Sequence, residues 1–247
     1  MKHLFILHCS GCSQLTSFPK IKRSIGKLAK LSLDKTAIKE LPSSIELLEG
    51  LRNLYLNNCK NLESLPNSIC NLRSLEALSL DGCSKLDRLL EDLGRMPCLK
   101  ILSLNSLSCQ LPSLSGLSLL RKLYLDQCNL TPGVIKSDNC LNALKELSLR
   151  NCNLNGGVFH CIFHLSSLEV LHLSRCNPEE GGTLSDMLVG ISQLSNLRAL
   201  DLSHCKKVSQ IPELPSSLRL LDCHSSIGIS LPPMHSLVNC LKSASQV

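Results

Sequence analysis

Leucines return along this chain in the frame L-x-x-L-x-L-x-x-C. The stretch LRNLYLNNC sets it at Leu51, Leu54, Leu56 and Cys59, and LEALSLDGC repeats it at Leu75, Leu78, Leu80 and Cys83, 24 residues on. The same frame fits LAKLSLDKT, LKILSLNSL, LRKLYLDQC, LKELSLRNC, LEVLHLSRC, LRALDLSHC and LRLLDCHSS. With the opening LFILHCSGC there are ten copies, whose final positions are 12, 36, 59, 83, 107, 128, 152, 176, 205 and 226. The spacing stays between 21 and 29 residues, which chance does not produce.

In each copy the L-x-L core reads as a short strand, because alternate residues of a strand point to opposite sides. The leucines face inward and the residues between them face outward. One copy cannot bury its leucines alone, but stacked copies share a continuous interior. The pattern therefore predicts an α/β leucine-rich-repeat solenoid, a horseshoe or arc with a concave parallel sheet of about ten short strands. The repeats fill residues 1–236 as one domain, and 237–247 begin a truncated post-repeat segment. Leu41-Pro42, Leu65-Pro66, Leu111-Pro112 and Ile211-Pro212 start extended segments on a mostly irregular convex side, since proline lacks a donor and restricts its predecessor. One convex helix is expected, over 185–194, where Ser185 is a plausible cap and the apolar spacing suits two turns.

The opening MKHLFILHCSGC resembles an export signal, with a basic start and S-G-C at a cleavage point. Its apolar core runs only from Leu4 to Leu7 before His8 interrupts it, whereas a signal needs roughly 7–15 apolar residues. The repeat register accounts for the same residues, so this stretch belongs to the fold.

Composition narrows the picture further. Aromatic residues are 2% of the chain and tryptophan is absent, so the core is aliphatic. No stretch reaches the roughly 18 consecutive apolar residues of a membrane span. The formal charge is +6, and the surplus lies in residues 1–60, with ten Lys or Arg against four Asp or Glu. Lys20, Lys22, Arg23, Lys27 and Lys30 are its densest part. No aromatic residues are interleaved there, so a nucleic-acid stacking platform is not supported, and a solvated face is the simpler reading.

Of fifteen cysteines, seven occupy the turn position of the frame: 12, 59, 83, 128, 152, 176 and 205. They read as packing thiols, and so many thiols favour a reducing, cytoplasmic or nuclear compartment. Cys9-x-x-Cys12 is explained by the register, and His160-x-x-x-His164 lacks the glutamate of a zincin helix, so no metal site is expected. Phosphate-binding, dinucleotide-binding and nucleophile-elbow motifs are absent. The sequence reads as no enzyme, with no cofactor.

What remains is the outward surface of the sheet. The residue between the strand leucines is His8, Ser32, Tyr55, Ser79, Ser103, Tyr124, Ser148, His172, Asp201 and Asp222 in turn. Two residues on, the column reads Ser10, Asp34, Asn57, Asp81, Asn105, Asp126, Arg150, Ser174, Ser203 and His224. Tyr55, Asn57, Asp81, Tyr124, Asp126, Arg150, His172 and Asp201 are the candidate partner-binding residues, because Tyr and Arg bury large area and also hydrogen-bond. Strands lie about 4.8 Å apart, so Tyr124, Arg150 and His172, in consecutive copies, are expected to meet one protein-sized ligand.

Three phrases go beyond the generic repeat: LSLDKTAIKELPSSIELLEGL, LNNCKNLESLPNSICNLRSLEALSLDGCSKL and LDLSHCKKVSQIPELPSSLRLLDCHSS. Together they closely resemble the repeats of plant TIR-NB-LRR disease-resistance proteins, and LVNCLKSASQV resembles the start of that family's post-repeat segment. The resemblance implies recognition of a pathogen effector or guarded host protein and restraint of a neighbouring nucleotide-binding domain. The family's nucleotide and NAD chemistry belongs to domains these residues do not match. Because the first residue falls inside a repeat, the chain is expected to be a fragment. The alternative is a ubiquitin-ligase substrate receptor or another non-catalytic repeat scaffold, although an F-box-like segment has no room before Leu4.

Overall fold

A computed structural model describes residues 3–114, 116–131, 133–135, 141–178, 182–206, 208 and 210–226. The predicted post-repeat segment, 237–247, lies outside the described residues. The chain divides into two units, residues 1–124 and 125–247.

In the first unit, the expected strands are β1 (Ile6–His8), β2 (Lys30–Ser32), β3 (Asn53–Tyr55), β4 (Ala77–Ser79), β5 (Ile101–Ser103) and β6 (Lys122–Tyr124). Each pairs in parallel with the next, and the register sets Leu7, Leu31, Leu54, Leu78, Leu102 and Leu123 side by side. The second unit holds β7 (Glu146–Ser148), β8 (Asn153–Leu154), β9 (Val170–His172), β10 (Asn177–Pro178), β11 (Ala199–Asp201) and β12 (Leu220–Asp222). There β7, β9, β11 and β12 are parallel in sequence order, aligning Leu147, Leu171, Leu200 and Leu221. The pair β8 and β10 forms a small second sheet that the frame did not predict.

Ten strands thus correspond to ten copies of the frame, β1 included, so the opening stretch is structural. From Leu31 to Leu200 the strand leucines named above are fully buried, as periodicity requires. Each copy then turns through one left-handed residue: Gly11, Lys35, Asn58, Gly82, Ser106, Gln127, Asn151, Arg175, His204 and Ser225. That residue lifts the chain off the sheet immediately before the cysteine position. Eight of the ten are not glycine, so stacking imposes a conformation the side chains themselves disfavour.

The cysteine position explains itself through hydrogen bonding. Cys59 Sγ donates to Leu33 O at 3.1 Å, Cys83 to Leu56 O at 3.0 Å, Cys152 to Leu125 O at 3.2 Å, Cys176 to Leu149 O at 2.9 Å and Cys205 to Leu173 O at 3.3 Å. Each thiol thereby satisfies a carbonyl of the preceding copy where water is excluded. Cys12 departs from the expectation: it is exposed. Thr36 differs: its hydroxyl donates at 2.8 Å to Leu33 O of its own copy, the carbonyl that Cys59 Sγ also reaches from the next.

On the opposite side, Pro42 and Pro66 are extended, as expected, and each leads into a short 3-10 helix, Ser43–Leu47 and Asn67–Asn71. A third, Glu91–Arg95, follows Leu90 without a proline. The long copy carries α2 (Leu184–Met187), which continues as a 3-10 helix, Leu188–Gln193. Its cap is Thr183 rather than Ser185, in a reciprocal capping box with Asp186. A further helix, α1 (Gly156–Phe163), was not predicted. The side chain of Asn155 caps it by accepting from Val158 N, and Val158, Phe159, Cys161 and Ile162 supply its buried face. The paired glycines at its start masked that signal.

Candidate functional site

The three-residue strands fix which side chains share the open face of each sheet. Alternation extends one residue earlier than the frame's inner position, which adds a third outward column. In the first unit it reads Ile6, Lys30, Asn53, Ala77, Ile101 and Lys122, and in the second Glu146, Val170, Ala199 and Leu220. Ile6, Ile101 and Leu220 are 51%, 38% and 60% exposed, so this column offers apolar area that the sequence reading overlooked. The signal was available as the residue just before each strand leucine.

The first two outward columns are coupled to each other. Ser79 Oγ donates to Asn57 Oδ1 at 2.5 Å, Ser103 Oγ to Asp81 Oδ1 at 2.7 Å and Ser148 Oγ to Asp126 Oδ1 at 2.6 Å. The same acceptors take a backbone N–H from the next copy: Asp81 N to Asn57 at 3.0 Å, Asn105 N to Asp81 at 2.9 Å and Arg150 N to Asp126 at 2.8 Å. Asp34 Oδ1 likewise accepts from Asn57 N at 2.8 Å. An Asp or Asn in one copy followed by a Ser in the next is thus an inter-repeat clasp. The serines are consequently buried although they stand on the outward face. Asn57, Asp81 and Asp126 hold the stack together through Oδ1, and all three are half-buried.

Where serine is replaced by a larger group, the face changes character. In the first unit Tyr55 is half-buried, with Lys30 Nζ 5.2 Å from its ring centre, a cation–π arrangement on the open face. Tyr124, also half-buried, stands on β6, the last strand of that unit.

The second unit gathers Asp126, Arg150, His172 and Asp201 into one cluster. Arg150 Nη2 lies 3.0 Å from His172 Nδ1, Arg150 Nε 3.7 Å from Asp201 Oδ2, and Arg150 Nη1 3.9 Å from Asp126 Oδ2. His172 Nδ1 is 3.6 Å from Asp201 Oδ2. Burial acts to raise the Asp201 carboxyl, but hydrogen bonds from the Ser203 hydroxyl and N–H, with the charges of His172 and Arg150, hold it below the ordinary carboxylate value. The Arg150 side chain is 43% exposed, and its carboxylate contacts exceed the roughly 2.8 Å of a tight charge-assisted bond. Ion pairs of that kind contribute only about 0–1 kcal/mol.

Elsewhere in the first unit a cavity of about 970 Å³ lies against the first repeat between Leu4, Leu7, Leu15, Phe18, Ile21 and Leu28. Lys20, Lys22, Arg23 and Lys27 also line it, so the basic run surrounds apolar surface. Among the described residues, no group of three or more His, Cys, Asp or Glu side chains is arranged to hold a metal ion, and no helix is long and apolar enough to cross a membrane.

Parallel three-residue strands, a thiol or hydroxyl at nine of the ten turn positions and polar clasps between copies define a leucine-rich-repeat solenoid with an open polar sheet face. A family model described as disease resistance protein RPS4B-like, leucine-rich repeats, matches residues 1–231, and the chain belongs to that family. Among curated relatives, the Arabidopsis thaliana protein SUPPRESSOR OF npr1-1, CONSTITUTIVE 1 is 47% identical over 62 residues, which is 25% of this chain and 4% of that protein. Disease resistance protein RPS6 of the same plant is 48% identical over 59 residues, 24% of this chain and 5% of that protein. The matches therefore span a small part of much longer relatives.

Two solved structures show the same fold. A leucine-rich-repeat protein of Leptospira interrogans superposes with a TM-score of 0.68 at 27% identity, over 87% of this chain and 53% of its own. A functional domain of InlJ from Listeria monocytogenes, described as including a cysteine ladder, gives 0.66 at 19% identity, over 94% of this chain and 46% of its own.

Proposed function

We propose that these repeats are the protein-recognition module of a plant immune receptor, contacting a pathogen effector or guarded host protein and regulating an attached nucleotide-binding domain. The reading gives the repeats no catalytic role and places the receptor in the cytoplasm or nucleus. Family membership supports the class. The observation that carries the mechanism is the Arg150 cluster, a half-exposed side chain held on the sheet face by one close contact to His172 and long, weak pairings with Asp126 and Asp201.

Such a group is pre-positioned, so little side-chain entropy is lost when a partner carboxylate or carbonyl replaces the existing contacts. The apolar column beside it supplies area, and the Ser–Asp clasps keep the strip from deforming. Tyr55, with Lys30, offers a second recognition surface on the first unit.

The test is a full-length receptor carrying these repeats, assayed for effector-triggered cell death in leaf tissue. Arg150→Ala and Tyr55→Ala are expected to weaken the response at unchanged protein level, while Glu91→Ala, among the 3-10 helices, leaves it intact. A response that survives both sheet-face substitutions contradicts the reading.

A further inference from the structure

Beyond the Arg150 cluster, the second unit carries two imidazoles directed at each other. His204 is the left-handed turn residue after β11, with φ 59°, and His224 follows β12 in the next copy. The His204 N–H donates to His224 O at 3.0 Å, which ties the two turns together. His204 Nε2 and His224 Nε2 are then 3.1 Å apart, with ring centres 4.7 Å apart and planes at 80°. A straight N–H···N bond of that length would separate the ring centres by about 5.4 Å. The pair is therefore bent rather than collinear.

A bent pair of this size has the dimensions of a chelate. Two imidazole nitrogens each about 2.1 Å from one metal, at an angle near 95°, stand about 3.1 Å apart with ring centres about 4.8 Å apart. The carboxylate of Asp222 completes the arrangement: its Oδ1 is 2.7 Å from His224 Nδ1 and also accepts from the His224 N–H at 3.1 Å. A carboxylate on Nδ1 keeps the proton there and leaves the Nε2 lone pair for a metal, which is the usual outer partner of a ligating histidine.

We propose that His204 and His224, oriented by Asp222, form a two-histidine site for a divalent transition cation of the cobalt-to-zinc series. Near-perpendicular nitrogen ligands suit a tetragonal or octahedral ion, and water supplies the remaining positions. Binding shifts the His204 proton to Nδ1, so that the shared Nε2–H is replaced by the metal. Both rings are exposed, and the cation would clamp the last two described copies across their turns. The other close pair, His160 on α1 and His164 at its C-terminal cap, is built differently: His164 Nδ1 is engaged by the His160 carbonyl at 2.7 Å, and among the described residues no carboxylate contact to either ring accompanies it.

The experiment is a Co²⁺ titration of the full chain at pH 7.5, followed by the imidazole resonances of all eight histidines. His204 and His224 are expected to broaden together, saturating at one equivalent, before His160 and His164 respond. His224→Ala should weaken the response of His204 at least tenfold, and Asp222→Asn should weaken it about tenfold, with the melting temperature unchanged in both. Separate responses of the two rings, or a His204 response indifferent to His224→Ala, overturn the proposal.

Discussion

Replacing Ser148 by alanine isolates one clasp. The side chain is fully buried and its hydroxyl donates to Asp126 Oδ1 at 2.6 Å, while the same oxygen accepts the Arg150 N–H at 2.8 Å. The substitution removes one hydrogen bond to a charged acceptor and leaves that carboxylate under-satisfied in a poorly hydrated place. Hydrogen bonds to charged groups are worth about 1.5–3 kcal/mol, so a loss of about 2 kcal/mol is expected in urea unfolding at unchanged m. Asp126→Ala removes both bonds and should cost more. Because the two residues touch, the double mutant should fall short of the sum by about 1–3 kcal/mol. Ser43→Ala, exposed at the start of a 3-10 helix, is the control and should stay within about 0.5 kcal/mol. A Ser148→Ala cost no larger than that control, or strict additivity with Asp126→Ala, would refute the clasp as a stabilising element.

Three further outcomes follow from other parts of the repeat. Tyr124→Ala should cost about 2 kcal/mol of partner affinity if the ring is a hot spot with little change in melting, whereas Leu123→Ala, fully buried, should cost about 2–5 kcal/mol of stability; calorimetric binding beside thermal unfolding separates the two. Burial raises the thiols of Cys59, Cys83, Cys152, Cys176 and Cys205, to about 12 for Cys83 and Cys152 and about 11 for Cys205. A raised folded value means stability is fully present below the unfolded thiol value of about 8.5 and is lost as pH climbs from there towards the folded values. Each thiol should then cost about 1.4 kcal/mol per pH unit in that window, so melting should fall steeply above pH 9, and Cys152→Ser should flatten the slope. Gly50→Ala should destabilise by about 1–3 kcal/mol, because the new methyl meets the Gly26 backbone carbonyl; Gly26→Ala, with open space around it, should be neutral in the same melting assay.

The strands were legible because burial and period coincide: every leucine of the L-x-L cores had to face one interior, and a single register satisfies them all. The two prolines at 42 and 66 correctly barred a long helix, but the 3-10 turns after them depend on local i to i+3 bonds that no spacing announces. Helix α1 went unseen since Gly156 and Gly157 argue against helix, while the Asn155 cap and burial against neighbouring copies override that propensity. Among the site residues, alternation marked Tyr55, Tyr124, Arg150 and His172 as outward, and all are half-buried on the sheet face. The role of Asn57, Asp81 and Asp126 was hidden, because a clasp joins residues about 22 positions apart and is visible only once two copies are aligned side by side. The partner of Arg150 in Asp201 is a contact between copies 51 residues apart, beyond any single-frame reading.

The central claim is that recognition runs through the open sheet face. It is tested most directly by measuring the affinity of the eliciting partner for the repeats of the full-length receptor, with melting temperature recorded for every variant. Arg150→Ala and Tyr55→Ala are expected to weaken binding by about tenfold or more without lowering the melting temperature, and Glu91→Ala and Val189→Ala, opposite the sheet, should change neither. Binding that is unaltered by the first pair and abolished by the second would contradict the account.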